Sequence, residues 1–228
     1  MIVFDHVSVL PDGGGGSPIL HDISLHLGER RIALIGANGS GKSTLARLVN
    51  GLAAPTSGRV VVEGLDVTEA PAKVRRMVGF VFTDPAAQLV MPTAAEDIAL
   101  SLRRQYRDRK ARTAAAQQIL ADHGLAELAA QSVYTLSGGQ RQLVALAGVL
   151  AVRPQIVVAD EPTTLLDLRN SRLVGDLLLS LEQQLVLATH DLDLAQRCDR
   201  ALVIEAGTIA FDGDPTQAVA FYRESVGS

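Results

Sequence analysis

The chain has 228 residues, of which 47% are hydrophobic and 20% are charged, a globular balance that excludes an intrinsically disordered protein. Its 21 basic and 25 acidic residues give a formal net charge of −4, which argues against binding of nucleic acid through a large basic surface. No apolar run is as long as the roughly 18 residues of a membrane-spanning helix, so any role at a membrane is expected to depend on a partner. The single cysteine, Cys198, cannot form an intrachain disulfide, which is typical of a reducing compartment.

The first third of the chain is predicted to be rich in strands. Short apolar runs or apolar–polar alternation predict strands at residues 2–4, 7–9, 23–27, 31–35, 60–62 and 78–82. Pro11, Asp12 and the four glycines at 13–16 predict a flexible hairpin loop near the start. One helix is predicted from about Lys42 to Leu52.

The middle of the chain is rich in Ala, Leu, Arg and Gln, and its periodicity is helical. We therefore predict an inserted helical lobe from Asp84 to about Arg153, and a core made of residues 1–83 and 154–228. After the lobe, strands are predicted at 156–159, 185–189 and 201–204, and helices at 169–182 and 192–198. Alternation of this kind predicts an α/β fold, a mostly parallel sheet covered by helices.

A glycine-rich loop carries the first functional signal. Residues 36–43 read G-A-N-G-S-G-K-S and fit G-x-x-x-x-G-K-[ST], after an apolar strand and at the start of a helix. Glycines let successive backbone N–H groups converge on a phosphate, and the helix N-terminus adds a partial positive charge. Lys42 is expected to reach the β- and γ-phosphates, and Ser43 to offer its hydroxyl to Mg²⁺. The loop predicts binding of a nucleoside triphosphate and leaves open whether the protein is a kinase, a GTPase or a motor.

Four further motifs follow the phosphate loop. They are L-S-G-G-Q at residues 136–140, an apolar strand that ends in Asp160-Glu161-Pro162, T-T-L-L-D ending at Asp167, and A-T-H-D with His190. In this order and spacing, the motifs resemble the ATP-binding cassette (ABC) ATPase family over nearly the whole chain. The resemblance implies an α/β P-loop NTPase fold of the RecA-like type, with a mostly parallel sheet, an antiparallel β-subdomain and an inserted α-helical subdomain.

The resemblance also implies that two cassettes face each other head to tail and enclose two ATP molecules. In one subunit the phosphates would be bound by Gly36, Asn38, Gly39, Ser40, Gly41, Lys42, Ser43 and Thr44. The partner would contact the γ-phosphate through its signature motif, Ser137, Gly138, Gly139 and Gln140. A second ABC ATPase subunit, with a second copy of this chain favoured, is therefore the first expected partner.

Other residues take catalytic roles under the same resemblance. Ser43 and Asp160 would hold Mg²⁺, which together with ATP makes up the expected cofactors. Glu161 would polarise the attacking water as general base, and His190 would contact the γ-phosphate and help to position that water. Asp167 would belong to the D-loop, which links the two sites across the interface. Phosphoryl transfer depends on charge neutralisation and in-line placement more than on covalent catalysis, and these roles agree with that.

The chain departs from the family at two places. Where the family usually has a Gln that contacts Mg²⁺ and senses the membrane partner, this sequence has Thr83, whose shorter hydroxyl could reach the metal only by moving closer or through water. The family also commonly stacks an aromatic residue of the first hairpin on adenine, but no Phe, Tyr or Trp occurs between Phe4 and Phe80. The adenine contact is left open between His6, Leu10, Pro11 and the partner chain.

Two segments indicate the kind of ABC protein. Residues 81–90, V-F-T-D-P-A-A-Q-L-V, resemble the V-F-Q-N-P-x-x-Q-[LIF] stretch of energy-coupling-factor (ECF) and cobalt/nickel-type importers. The L-D-L-R-N stretch at 166–170 looks most like the ATPase of the bacterial biotin ECF transporter. The resemblance implies an ATP-hydrolysing subunit that powers uptake of a vitamin, with biotin favoured, or of a transition-metal ion.

An ECF-type subunit would have two membrane partners, a transmembrane coupling protein (the T component) and a substrate-binding membrane protein (the S component). It would lie peripherally at the cytoplasmic face of the bacterial inner membrane. The nearest alternative is the ATPase subunit of another bacterial ABC transporter. An ABC ATPase that acts on DNA or ribosomes usually has long coiled coils, a zinc module or two fused cassettes, so no nucleic-acid partner is expected. A module that binds ATP without turnover would be expected to lack Glu161 or His190, and both are present.

Overall fold

The computed structural model describes residues 1–11, 13 and 16–227 of the chain. The predicted glycine-rich loop falls partly on Asp12, Gly14 and Gly15, which lie outside the described residues. Contacts between residues divide the chain into two compact units. The first unit comprises Met1–Phe80, Gln155–Glu161 and Leu178–Ser228, and the second comprises Val81–Pro154 and Pro162–Leu177.

The described residues form ten strands and eight α-helices. The strands are β1 (Ile2–Val9), β2 (Leu20–Leu27), β3 (Arg31–Ile35), β4 (Ser57–Val62), β5 (Leu65–Asp66), β6 (Val78–Val81), β7 (Ile156–Asp160), β8 (Gln184–Ala188), β9 (Arg200–Glu205) and β10 (Thr208–Gly213). The helices are α1 (Lys42–Asn50), α2 (Pro71–Met77), α3 (Ala94–Ser101), α4 (Arg109–Asp122), α5 (Gly138–Leu150), α6 (Leu168–Ser180), α7 (Leu192–Ala195) and α8 (Pro215–Gly227).

A six-stranded sheet organises the first unit, with the strand order β10-β9-β3-β8-β7-β6. Strand β3 pairs in parallel with β8 and β9, β7 pairs in parallel with β8, and β10 pairs antiparallel with β9. Every residue of β3 and β7 is buried, which explains why both read as continuous apolar runs in the sequence. The predicted α/β fold with a mostly parallel sheet is confirmed.

A second, antiparallel sheet has the order β2-β1-β4-β5. The two short strands predicted at 2–4 and 7–9 are one strand, β1, whose pairing shifts register between Phe4 and Val7. His6 lies in this irregular stretch with a φ of 50°, a left-handed conformation that is uncommon outside glycine. A side chain at position 58 would place its Cβ atom 2.2 Å from the His6 carbonyl oxygen, so Gly58 is needed where β4 passes this bulge.

Several predicted boundaries move by a few residues, and four elements were not predicted. Helix α1 ends earlier than Leu52, because Gly51 adopts a φ of 69° and its N–H closes the helix on the carbonyls of Arg47 and Leu48. Helices α2 and α8 and strands β5 and β10 have no counterpart in the sequence prediction. Cys198 is a packed core residue, and burial raises the pKa of its thiol to about 12.

The second unit is helical and contains α3, α4 and α5. Its buried core includes Ile98 from α3, Leu120 from α4 and Val144 from α5. Thr93 caps α3, and Glu96 and Asp97 lie in its first turn, where negative charge suits the helix dipole. The lobe predicted at residues 84–153 falls within this unit, which also takes in residues 162–177. Whether the two units are functional subdomains stays a prediction.

Among the helices of the described residues, none is both long enough and apolar enough to cross a membrane.

Candidate nucleotide-binding site

The phosphate loop joins the end of β3 to the start of α1. Gly36 and Gly41 have φ angles of 148° and 110°, which L-amino-acid side chains rarely adopt. A Cβ atom at position 36 would lie 2.2 Å from the carbonyl oxygen of Ile204, and one at position 41 would lie 2.7 Å from a methyl carbon of Leu20. The tight curl of the loop therefore depends on glycine at both positions, for conformation and for space.

Two polar side chains of this loop are buried in an arrangement that suits an anion. Within the described part of the chain, the buried Ser40 hydroxyl has no hydrogen-bond partner. The Lys42 side chain is only 5% exposed, and its Nζ donates to the carbonyl oxygens of Gly36, at 2.7 Å, and Ala37, at 2.9 Å. A buried donor without a partner and a buried ammonium held by two neutral carbonyls are both better satisfied by phosphate oxygens.

The environment of Lys42 lowers the pKa of its ammonium. Burial is the main cause, because it disfavours the charged form, while the negative charges of Glu161 and Asp160 oppose the shift. The loop thus keeps a desolvated ammonium close to two carboxylates, and this ammonium is the group that would attract an added phosphate.

Asp160 is the last residue of β7 and is 1% exposed. Its Oδ1 atom accepts a hydrogen bond from the Ser43 hydroxyl at 2.7 Å, and Oδ2 accepts one from Arg47 Nη2 at 3.3 Å. Hydroxyl and carboxylate oxygens are hard donors that suit Mg²⁺, which is usually held by one or two protein oxygens together with phosphate and water. The residues therefore fit the expected metal.

Glu161 and His190 form a hydrogen-bonded pair at the carboxyl ends of β7 and β8. The Oε2 atom of Glu161 lies 2.6 Å from His190 Nδ1 and accepts a second hydrogen bond from the His190 N–H at 3.3 Å. Glu161 has a φ of 51°, and its N–H donates to the carbonyl of Ala188 at 2.9 Å. A carboxylate on a residue with a strained backbone that its surroundings hold in place is typical of a reacting position.

The L-S-G-G-Q motif lies in the second unit and forms the start of α5. Ser137 and Gln140 make a capping box, in which Ser137 Oγ accepts from the Gln140 N–H at 3.2 Å and Gln140 Oε1 accepts from the Ser137 N–H at 2.9 Å. The N–H groups of Gly138 and Gly139 lie in the first turn, where no intrahelical acceptor is available. The motif thus presents backbone donors at a helix N-terminus, a form that suits a phosphate.

Asp167 and Thr83 also belong to the second unit. Asp167 precedes α6, and its Oδ1 accepts the N–H of Asn170 at 2.8 Å. Thr83 follows Phe82, whose N–H donates to Gln88 Oε1 at 3.3 Å and whose carbonyl accepts from Gln142 Nε2 at 3.4 Å.

Sequence reasoning gave no role to Arg47, Asn170, Gln88 or Gln142, which contact the predicted site residues or their neighbours. The spacing of Arg47 four residues after Ser43 on one helix was a usable signal, since such residues share a face. The contacts of the other three residues follow from tertiary packing.

The Thr83→Gln substitution is expected to keep or raise ATPase activity in the assembled transporter. The resemblance to the family implies that a Gln at this position contacts Mg²⁺, and the Thr side chain is shorter than that Gln. The measurement is kcat of the reconstituted complex, with the exposed Thr113→Gln as control. A large loss of activity at Thr83→Gln alone would show that its surroundings require the Thr.

Weak discrimination between ATP and GTP is a second expectation. Leu10 is 38% exposed and its N–H donates to Thr56 Oγ1 at 3.0 Å, so the side chain offers an apolar surface without a group that reads the base edge. The affinities should differ by less than about tenfold, the size of one hydrogen-bond difference. Competition binding would measure this, and Leu10→Tyr, which adds a stacking ring, should tighten both nucleotides. A strong preference for ATP would contradict the expectation.

The phosphate loop between β3 and α1, with the acid pair at the end of β7 in the same sheet, defines a P-loop nucleoside triphosphatase. Residues 20–164 match the family model described as ABC transporter. The chain is also 46% identical over 224 residues to a putative ABC transporter ATP-binding protein of Deinococcus radiodurans, with 98% of both chains covered. It therefore belongs to the ABC transporter ATPase family and is an ATP-hydrolysing transporter subunit.

Other relatives carry more specific names. The biotin transport ATP-binding protein BioM of Rhizobium etli is 40% identical, with 92% of this chain and 93% of the relative covered. The energy-coupling factor transporter ATP-binding protein EcfA1 of Halalkalibacterium halodurans is 37% identical, with 91% of this chain and 76% of the relative covered.

Solved structures agree with this assignment. A dimeric ATP-binding cassette in a post-hydrolysis state bound to ADP and Pi superposes with a TM-score of 0.83 at 29% identity, covering 94% of this chain and 99% of that one. The cbiO1 protein of Clostridium perfringens, part of the ABC transporter complex cbiONQ, also gives 0.83, at 27% identity, covering 99% of this chain and 92% of that one. These likenesses confirm the P-loop NTPase fold, and membership of the family confirms ATP as the nucleotide.

Proposed function

We propose that the chain is the ATPase subunit of an ECF-type importer and that the cargo is biotin. Similarity over more than nine-tenths of both chains to a relative named as a biotin transport ATP-binding protein is the observation that carries this proposal. The relative named as an ECF ATPase supports the ECF type independently of the cargo. A transition-metal ion is the second candidate cargo, because residues 81–90 resemble both groups of importers.

Binding of ATP follows from the phosphate loop. The backbone of residues 36–44 surrounds the phosphates, the Ser40 hydroxyl, which has no hydrogen-bond partner among the described residues, donates to one of them, and Lys42 exchanges its carbonyl partners for phosphate oxygens. Ser43 and Asp160 would hold Mg²⁺, which neutralises phosphate charge when bound. Arg47 stabilises the Asp160 carboxylate through its hydrogen bond to Oδ2.

Hydrolysis is assigned to Glu161 and His190. The Glu161 carboxylate accepts a proton from the attacking water, and the bond from His190 Nδ1 fixes the orientation of the carboxylate. Nε2 of the same imidazole then faces the γ-phosphate, to which it donates a hydrogen bond when both ring nitrogens carry a proton. Because the two residues already contact each other, the pair needs only the correct placement of water and phosphate to act.

A complete site needs a second subunit in this proposal, and a homodimer is the form we favour. The partner's signature motif would bring its Ser137 hydroxyl and the N–H groups of its first α5 turn to the γ-phosphate, while the D-loop with Asp167 would lie at the interface. Two exposed leucines flank Asp167: Leu165 is 61% exposed and Leu168 is 69% exposed. Apolar side chains this exposed beside a polar loop are typical of a surface that a partner covers.

The membrane partners proposed are a T component, on which the ATPase pair docks, and an S component that binds the cargo, at the cytoplasmic face of the bacterial inner membrane. The test is purification of the tagged chain from membranes and identification of the proteins that accompany it. The recovered complex, reconstituted in vesicles, should take up labelled biotin only with ATP, and a complex carrying Lys42→Ala should not. ATP-driven uptake of a divalent metal ion without biotin uptake would show that the cargo is the metal ion and not biotin. Absence of any membrane partner would refute the proposal as a whole.

A further inference from the structure

The second signature glycine has no room for a side chain. Gly139 lies inside α5, whose backbone conformation any residue can adopt, so conformation alone does not require glycine there. A Cβ atom at this position would lie 2.5 Å from the side-chain amide carbon of Asn170 and 2.6 Å from its oxygen. At Gly138, by contrast, a Cβ atom would lie 3.6 Å from the carbonyl oxygen of Leu165, which is an ordinary contact. With its amide in this position, Asn170 would clash with a side chain at 139 and not with one at 138.

Asn170 is held in this place by Asp167. The Asn170 Nδ2 atom donates to Asp167 Oδ2 at 3.0 Å, while the Asn170 N–H donates to Asp167 Oδ1 at 2.8 Å. The second bond uses the main chain and is the N-terminal cap of α6, so any residue at position 170 could make it. The first bond needs the amide side chain and has no part in capping.

We propose that Asn170 is a positioning residue that ties the D-loop to the signature motif within one subunit. Its amide is hydrogen-bonded to the Asp167 carboxylate on one side and packs against Gly139 on the other. The D-loop and the first turn of α5 then move as one body when they meet the nucleotide of the partner subunit. This inference rests on the proposed head-to-tail pairing.

The Asn170→Ala variant tests the positioning role. It keeps the backbone cap of α6 and removes the amide, so the folded chain and its ATP affinity should change little. Turnover should fall about tenfold, the loss typical of one charge-assisted hydrogen bond. The ATP-dependent dimer formed in a Glu161→Gln background should weaken by a similar factor. Arg172→Ala, an exposed change on the same helix, is the control and should leave both quantities unchanged.

A thermal double-mutant cycle tests the contact without nucleotide. Gly-to-Ala changes in helices are normally stabilising, so Gly139→Ala alone should lower Tm only because of the clash with Asn170. In the Asn170→Ala background the same change should raise Tm, by about 2–4 °C for each kcal/mol gained. Gly138→Ala should shift Tm equally in both backgrounds.

If Gly139→Ala changes Tm equally in both backgrounds, the Asn170 side chain does not pack against position 139. An intact cycle with unchanged turnover and dimer affinity in Asn170→Ala would overturn the positioning role. A wild-type chain that neither hydrolyses ATP nor forms a dimer would refute the proposed function and the positioning role with it. The thermal cycle would still show whether Asn170 contacts Gly139.

Discussion

Turnover in the Glu161→Gln variant is expected to fall about 10²- to 10⁴-fold, the range contributed by a positioned general base. The Gln amide is nearly isosteric with the Glu carboxylate, so its oxygen can still accept the hydrogen bond that the His190 main-chain N–H donates to Glu161. It cannot accept a proton from water, so the chemical step is lost while the phosphate loop is untouched. ATP affinity should be retained, and a closed dimer should accumulate with ATP and be visible by size-exclusion chromatography.

The matched control for this substitution is Glu182→Gln, an exposed glutamate that should leave kcat unchanged. Retention of more than a tenth of wild-type turnover in Glu161→Gln would assign the base to another group. A variant that loses ATP binding together with turnover would show that Glu161 supports the fold of the loop rather than the chemistry.

Loss of ATP binding is expected for Lys42→Ala. The substitution removes the one buried ammonium of the loop and, with it, charge-assisted hydrogen bonds to phosphate, so affinity should fall about 10- to 100-fold and turnover with it. Lys42→Ala should lower the free energy of unfolding of the nucleotide-free protein by less. Burial already lowers the pKa of this ammonium, and its present partners are neutral carbonyls. Fluorescent-nucleotide titration measures the affinity, and circular dichroism checks the fold.

Lys73→Ala, at an exposed position of α2, is the control for removal of a lysine from the same unit. Near-normal ATP affinity in Lys42→Ala would mean that the backbone donors of the loop bind the phosphates unaided. In that case the ammonium would act only on the reaction, and the kcat of the variant would fall while its KM stayed constant.

The sequence was most informative where one residue type is required at a fixed spacing. The phosphate loop and the acid pair at the end of β7 could be recognised because each residue type has a specific role. Glycine allows the tight loop, lysine contacts phosphate, and the carboxylates bind the metal or act as base. Helix α8 and strand β10 were missed. Strand β10 is half-exposed throughout, which makes its apolar pattern weak, and α8 has only three buried residues.

Contacts between distant segments could not be predicted in the same way. The bond between Asp160 and Arg47 joins residues 113 positions apart, and the packing of Asn170 on Gly139 depends on how two helices meet. Neither is encoded in a local pattern, because each follows from the placement of whole elements. The β1 bulge at His6 is a similar case, since it leaves no space for a side chain at Gly58 on the neighbouring strand.

The attachment of Glu161 to the sheet has a consequence for regulation. Its main chain is bonded to Ala188 and its carboxylate to His190, so the pair is fastened to the ends of two buried strands. Elements of this kind fluctuate little on the microsecond-to-millisecond timescale on which domains open and close. Inhibitors or regulatory partners would then act on how often a second subunit completes the site, and the geometry of the Glu161–His190 pair would stay the same.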